Sequence, residues 1–450
     1  MDNRDNEFLD KYAPEILHST AFNEDAYAKH NVKRGLRNAD GSGVVVGLTE
    51  IGDVHGYIVD EGDTVPVEGR LRYRGLRVND MVNGFQEDKR YGYEETAFLL
   101  LFGRLPRDQE LQEFSFMLSR KRELPDTFTE DMILKAPSPD VMNNLARSVL
   151  AYYSYDPDPE DRSLKSIYLQ CINLIALFPT MVAYAYQAKR HNYDHESLFI
   201  HRPQPELCTA ENFLYLIRPQ PVYNRLESEL LDLCFVLHAE HGGGNNSAFT
   251  IHVVSSTDTD TYSAIAAAIG SLKGSRHGGA NIKVIGMIED LKANVERWDR
   301  DADVADYLEK VLKKEAYDRT GLIYGLGHSV YTLSDPRAVL LKKKAERLAK
   351  ENGKEKELNL YYAVERLAPE VFASIKGARK VMAPNVDFYS GFVYELLNIP
   401  SPLYTPIFAI ARIAGWCAHR LEEVVHGGRI IRPAYRNVAE EQDYMPMKKR

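Results

Sequence analysis

Cysteine is scarce in this chain and carries no pattern. The four residues Cys171, Cys208, Cys234 and Cys417 are scattered with no CxxC spacing. That removes the usual zinc-ribbon and dithiol signatures. Three of the four lie in apolar helical runs, so buried reduced thiols are expected rather than disulfides. Long hydrophobic runs are missing too, and none is read as long enough to span a bilayer. The opening MDNRDNEFLDKY is acidic and polar. It has neither the basic and apolar regions of a secretory signal nor the basic character of a transit peptide, so a cytoplasmic location is expected. Positive charge is not in excess: the formal net charge is −9 and the pI about 5.9. This argues against a general nucleic-acid binder and leaves room for a local basic pocket that takes a small anion. There is no Walker A loop, no GxGxxG after a strand, no GxSxG elbow and no HExxH.

What is present is an ordinary globular composition, 44% hydrophobic and 27% charged over 450 residues. That length suffices for one large domain plus a smaller one. Short β-prone pieces at 43–49, 55–60 and 69–75 are separated by Gly, Asp and Asn and predict a small hairpin or meander. The alternation of Arg70, Arg72 and Arg74 reads as a strand with one solvated face. From Glu94 onward nearly every segment has helical period. EETAFLLLFGRLP is an apolar helix closed by Gly103 and Pro106, and DQELQEFSFMLSRKREL is amphipathic and stops at Pro125. SLKSIYLQCINLIALFPTMVAYAYQAKRH is a core stretch expected to kink or divide near Pro179. Four amphipathic helices after His277 are richer in Lys and Glu, which sets off a smaller, more exposed helical domain at 280–389. The expected fold is all-α with a minor N-terminal β element. A large discontinuous domain is made of 1–279 and 390–450, with the small domain between.

The chemistry concentrates in the stretch 238–283 and three later motifs. HAEHGGGNN places His238 and His241 where a helix meets glycines, and SRHGG places His277 likewise. There the backbone turns sharply and leaves N–H groups free for a ligand. Between them, YSAIAAAIGSL is a small-residue helix suited to a crowded core or a subunit interface. Further on come His328 in GLGHSVYTLSDPR, Asp387 in APNVDFYSG, and the arginines Arg337, Arg412 and Arg432. His238, His241 and His252 were weighed as metal ligands, but no carboxylate stands at the usual spacing, and no metal is expected. Taken singly, each histidine reads as a cap or a core residue. Taken together, they fit a carbon–carbon bond-forming site for a dicarboxylate. Arginines pair with carboxylates, histidines donate to a carbonyl oxygen gaining charge, and a carboxylate removes a proton beside a carbonyl.

HAEHGGGNNSAF, LKGSRHGGAN, GLGHSVYTLSDPR, PNVDFYSG and the ARIAG…IIRP pair stand in the order and spacing of citrate synthase, which the sequence resembles along essentially its whole length. EETAFLLLFGRLP and RYRG look like the family's more N-terminal signatures. The resemblance, to the dimeric bacterial type, implies condensation of acetyl-CoA with oxaloacetate through an enolate and citryl-CoA, with no metal or redox cofactor. It implies that Asp387 is the base, that His277 stabilises the enolate, and that His328 polarises the ketone and protonates the alkoxide. It makes His241, Arg337 and Arg412 ligands of oxaloacetate, and Arg432 a residue supplied across a homodimer interface. It assigns the backbone of Gly325, Leu326 and Gly327 to the CoA adenine, with Arg379 and Lys380 near the phosphates. A basic residue often found four positions after His328 is here Thr332, and Arg37 is the candidate to compensate. The stretch 54–69 looks like an insertion relative to short bacterial forms. Two alternatives share these motifs. One is 2-methylcitrate synthase acting on propionyl-CoA, since one methylene is discriminated by only about 1–3 kcal/mol. The other is a non-catalytic relative, which would be expected to have lost Asp387 or a histidine; all are present.

Overall fold

Polar N-caps and apolar residues at helical spacing shape most of the chain. The computed structural model describes residues 6–7, 10–12, 25–38, 41–60, 63–328, 330–377, 382–426 and 428–449. These fall into two compact units, 49–431 and a terminal unit made of 1–48 and 432–450. The terminal unit contains α1 (Asp25–Lys29) and the 3-10 turns Arg34–Leu36 and Met447–Lys449, none of which buries a residue.

The core unit opens with a sheet of order β1-β2-β3, formed by β1 (Gly52–Asp60), β2 (Asp63–Tyr73) and β3 (Leu76–Arg77). The β1–β2 pair is antiparallel, with an irregular register between His55 and Tyr57. The strand expected at 43–49 does not form. That segment is coil apart from a bridge of Gly43 to Arg37, and Val45 and Leu48 are 86% and 95% exposed. β-branched residues make a strand only when a ladder partner is present, and 44–48 has none among the described residues.

The helices that follow are α2 (Val78–Glu87), α3 (Tyr93–Phe102), α4 (Asp108–Ser119), α5 (Val141–Tyr152), α6 (Leu164–Tyr193), α7 (Thr209–Ile217), α8 (Arg225–His238), α9 (Asn246–Ser255) and α10 (Thr261–Lys273). Next come α11 (Ala280–Asn294), α12 (Asp301–Leu312), α13 (Pro336–Glu351), α14 (Glu355–Lys376), α15 (Val386–Leu396) and α16 (Tyr404–His426). Gly103 closes α3 in the left-handed conformation (φ 77°), as its position in the sequence predicts. Helix α6 runs unbroken through Pro179 rather than dividing there. Its length and hydropathy do match a membrane span, contrary to the reading of the sequence, but 78% of that window is buried within the fold. It packs against α5, α7 and α16, and its apolar surface is core. The small-residue helix α10 packs on α5, α9 and α16. Helices α12 and α14 pair, as do α13 with α15 and α11 with α15. All four cysteines are free; Cys171, Cys234 and Cys417 are buried and Cys208 is partly so.

The hairpin has a definite place. A Cβ on Gly56 would lie 2.4 Å from the Val330 carbonyl oxygen, and one on Gly69 would lie 2.1 Å from that of Ser334. Gly69 N donates to Ser334 Oγ at 3.2 Å, and Ser334 Oγ donates to Glu68. Gly56, Glu68 and Gly69 therefore lie against the backbone that follows His328, and only glycine permits the approach at 56 and 69.

Candidate active site

Six segments converge, and each brings its polar group to an element end or onto a buried face. Helix α8 ends at His238, so the next residues leave its axis and carry His241 to the cleft. His277 sits in the turn between α10 and α11, and His328 in the loop before α13. Asp335 caps α13, with Pro336 in its first turn, and places Arg337 there. Asn385 caps α15 by accepting from Asp387 N at 3.0 Å, which sets Asp387 in the first turn. Arg412 stands on the buried face of α16.

The side chains meet closely. The His241 and His328 rings are 5.2 Å apart, edge to face, and Tyr331 lies 5.7 Å from the first and 4.7 Å from the second. Arg337, 3% exposed, is gripped by Asp335 through Nε–Oδ1 at 3.0 Å and Nη2–Oδ2 at 2.7 Å. The same carboxylate accepts from Arg337 N at 3.0 Å and Val386 N at 3.1 Å. One buried aspartate thus ties the start of α13 to the start of α15. Arg412, 1% exposed, donates from Nε to the His238 carbonyl at 2.6 Å, and its Nη1 has no hydrogen-bond partner among the described residues. Burial lowers Arg412 to about 10, opposed by Glu240. A buried guanidinium N–H without an acceptor is costly, so this one calls for an anionic ligand. His241 Nε2 is likewise buried without a partner among the described residues.

The histidines are held neutral. Burial, then the charge of Arg337, lowers His328 to about 4. Burial, then Arg412, lowers His277 to about 4. Burial, then Arg337, His328 and Arg412, pushes His241 well down. His328 Nδ1 is 3.1 Å from both Val330 N and Tyr331 N and accepts from them. Its proton therefore sits on Nε2. His277 Nε2 lies 3.1 Å from Ser247 Oγ, which also accepts from Trp416 Nε1 at 3.1 Å and donates to Asn245 Oδ1 at 2.9 Å. Asp387 runs the other way. Burial raises it to about 6, with Arg337 and Arg412 pulling it down and Asp335 pushing it up.

The loop before His328 is tied to the segment before Asp387. Gly327 N donates to Ala383 O at 2.8 Å and Asn385 N to Gly325 O at 2.9 Å, while Asn385 Nδ2 reaches Gly327 O at 2.9 Å. Gly325 has φ +79°, and a Cβ there would meet Phe388 and Val284 at 2.8 Å. Arg379 and Lys380 lie outside the described residues. Arg432 and Arg37 belong to the terminal unit and are exposed. Thr332 Oγ1 makes a long contact, 3.5 Å, to Val330 O. Asp335, Tyr331, Ser247 and Trp416 escaped the reading of the sequence. Of these only Asp335 carried a local signal, an Asp–Pro pair at a helix start.

The fold and these groups define an enzyme: a mainly helical scaffold that brings together neutral histidines, a partly buried carboxylate raised by that burial, and two buried guanidiniums. The family profile described as citrate synthase, C-terminal domain, matches residues 39–434. The chain is 35% identical to a citrate synthase of Haloferax volcanii over 93% of this chain and 99% of that one. It is 31% identical to a 2-methylcitrate synthase of Shewanella oneidensis over 82% and 89%. Its fold is similar to the crystal structure of citrate synthase from Pyrobaculum aerophilum, with a TM-score of 0.73 at 30% identity, over 90% of this chain and 94% of that one. The chain belongs to the citrate synthase family, whose enzymes are carbon–carbon bond-forming acyltransferases.

Proposed function

We propose that this chain condenses acetyl-CoA with oxaloacetate and water to give citrate and CoA. The observation that carries this is the meeting of Asp387, raised to about 6, with two neutral histidines lowered to about 4 and two buried guanidiniums. Arg412, with its open Nη1, together with Arg337 and His241, holds the oxaloacetate carboxylates. The Asp387 carboxylate takes a proton from the acetyl methyl, and the electron pair moves to the thioester oxygen. His277 donates to that oxygen from Nδ1 once the Ser247 hydroxyl turns from Asn245 Oδ1 to donate to His277 Nε2. Such a donor is worth about 3–4 kcal/mol in comparable oxyanion sites. The enol carbon then attacks the ketone carbon, and the ketone oxygen takes the His328 Nε2 proton, which the proton gained by Asp387 replaces. Water displaces the thiol from citryl-CoA. Each step is carried by protein side chains and the two substrates.

The division into a large domain (1–279 and 390–450) and a small one (280–389) belongs to this reading. His328, Arg337 and Asp387 ride on the small part, and His241, His277 and Arg412 on the large part. Closure of one on the other would complete the site and exclude water. Arg432 is assigned to the neighbouring subunit's site in a homodimer. CoA is assigned to the backbone of Gly325, Leu326 and Gly327, with Arg379 and Lys380 toward its phosphates. The reaction is placed in the cytoplasm.

The test is thiol release from acetyl-CoA, with and without oxaloacetate, beside the Asp387→Ala variant. Release that needs oxaloacetate and collapses in the variant is expected. Release that persists in the variant would remove Asp387 from its role. Release with propionyl-CoA alone would move the activity to 2-methylcitrate synthesis. Silence with both would overturn the enzyme.

A further inference from the structure

Apart from the residues described above, α9 and α16 bring two imidazoles together edge to face, with centroids 5.0 Å apart and planes at 70°. His252 Nε2 is 3.0 Å from His419 Nδ1, and Glu422, three residues beyond His419 on α16, places Oε2 3.7 Å from that same Nδ1. One ligand atom from each of the three lies within 4.8 Å of the others. Each ring is held from behind by a carboxylate: His252 Nδ1 is 2.7 Å from Glu423 Oε2, and His419 Nε2 is 3.1 Å from Glu240 Oε1. The Glu423 carboxylate holds the proton of His252 on Nδ1, so the lone pair of His252 Nε2 faces His419 Nδ1. Glu422 supplies the independent sign of a ligand. Its side chain is 6% exposed, its Oε1 accepts from Glu50 N at 2.8 Å, and its Oε2 has no hydrogen-bond partner among the described residues.

We propose that His252 Nε2, His419 Nδ1 and Glu422 Oε2 form a binding site for a divalent cation of the zinc class. Two imidazoles and one carboxylate are a borderline donor set that favours Zn²⁺ or Co²⁺ over Mg²⁺ or Ca²⁺. Nitrogens bound at about 2.0–2.1 Å in a tetrahedron stand about 3.3 Å apart, so the observed 3.0 Å opens by only a few tenths of an ångström. The carboxylate behind each histidine is the outer support that metal-bound imidazoles use to fix tautomer and orientation. Three carboxylates, those of Glu240, Glu422 and Glu423, stand around the two rings, and a dication offsets more of that negative charge than the protein's own cations there. His252 is 13% exposed and opens the site toward solvent, while His419 is fully buried. The bound ion clamps α9 to α16 and takes no part in the condensation.

The experiment is Co²⁺ titration of the chelator-treated full-length protein, followed by its visible absorption, with Zn²⁺ as competitor and thermal unfolding alongside. One equivalent per chain, a tetrahedral spectrum displaced by Zn²⁺ and a higher Tm with the ion are expected. His252→Gln and Glu422→Gln should each weaken binding by about 100-fold or more, and Glu423→Gln by about tenfold, with thiol release in the absence of added metal retained. Absence of saturable binding would overturn the site. So would full affinity in folded His252→Gln together with Co²⁺ displaced by oxaloacetate, which would place the ion on the cleft histidines instead. Should His252→Gln fail to fold, Glu422→Gln decides the matter.

Discussion

Replacing Asp387 by asparagine separates what the carboxylate does for chemistry from what it does to stability. An aspartate moved from 3.8 to about 6 on folding, chiefly by burial, binds its proton more tightly in the folded state than in the unfolded one. Its contribution to stability is therefore fully present below about pH 3.8 and is lost as pH rises through about 6. At about 1.4 kcal/mol per pH unit, ionised Asp387 destabilises the folded enzyme by about 3 kcal/mol at pH 7.5 and by about 1.5 kcal/mol at pH 5. Asparagine removes that penalty. It also forfeits about 0.3–1 kcal/mol of favourable interaction between the carboxylate and the N-terminus of α15. Asp387→Asn should thus be more stable than the parent by about 2 kcal/mol at pH 7.5, by roughly 1 kcal/mol at pH 5, and by nothing near pH 3.8, while thiol release collapses. Urea unfolding of both proteins at one protein concentration and at pH 5 and 7.5 measures the difference. An asparagine variant no more stable than the parent at pH 7.5, or a difference unchanged between the two pH values, would refute the raised carboxylate and with it the argument that burial strengthens the base.

Two further substitutions probe residues that support the site. Asp335→Asn leaves the buried Arg337 without its bidentate partner and weakens the tie to Val386 N. It should lower stability by about 3–5 kcal/mol and raise KM for oxaloacetate, whereas a loss of only about 1 kcal/mol or less would show that the pair is replaceable. Ser247→Ala frees His277 Nε2 from its hydroxyl partner and should lower kcat by about ten- to a hundredfold with KM for oxaloacetate little changed. A change confined to KM would mean that Ser247 serves binding rather than the orientation of His277.

What the sequence made legible, and what it did not, follows from the range of each interaction. Caps, glycine turns and helical spacing are local, so α3, α10, the Asp387 turn and the Asp335–Pro336 start could all be found by reading along the chain. The pair His238 and His241 shows where that reading stops. Three residues apart, they look as if they share a helical face. The helix ends at His238, however, which is fully buried, stacked at 3.9 Å on Phe408 and bonded to Tyr394 at 3.1 Å, while His241 turns into the cleft. Strand 43–49 failed for the related reason that a strand is a pairwise object, and its apolar run does not say whether an edge is available. Part of the tuning of the site is local, as in the Asp335–Arg337 pair and the Val330 and Tyr331 amides on His328, and the rest is not. Tyr73 on β2 reaches back to the Val236 carbonyl at 2.9 Å, and Gly415 on α16 has no room for a Cβ because Ala239 O and Glu240 Oε2 lie 2.4 and 2.5 Å from where it would stand. Neither residue announces this to its neighbours in sequence. The same is true of His252 and His419, 167 residues apart. Along the chain His252 groups with His238 and His241 and not with His419, because proximity in sequence is the only proximity a sequence offers. The reactive groups can be read from the sequence because their types are few. The groups that set their charge and tautomer can be almost any polar residue, and they become identifiable only when the fold brings them within about 3 Å.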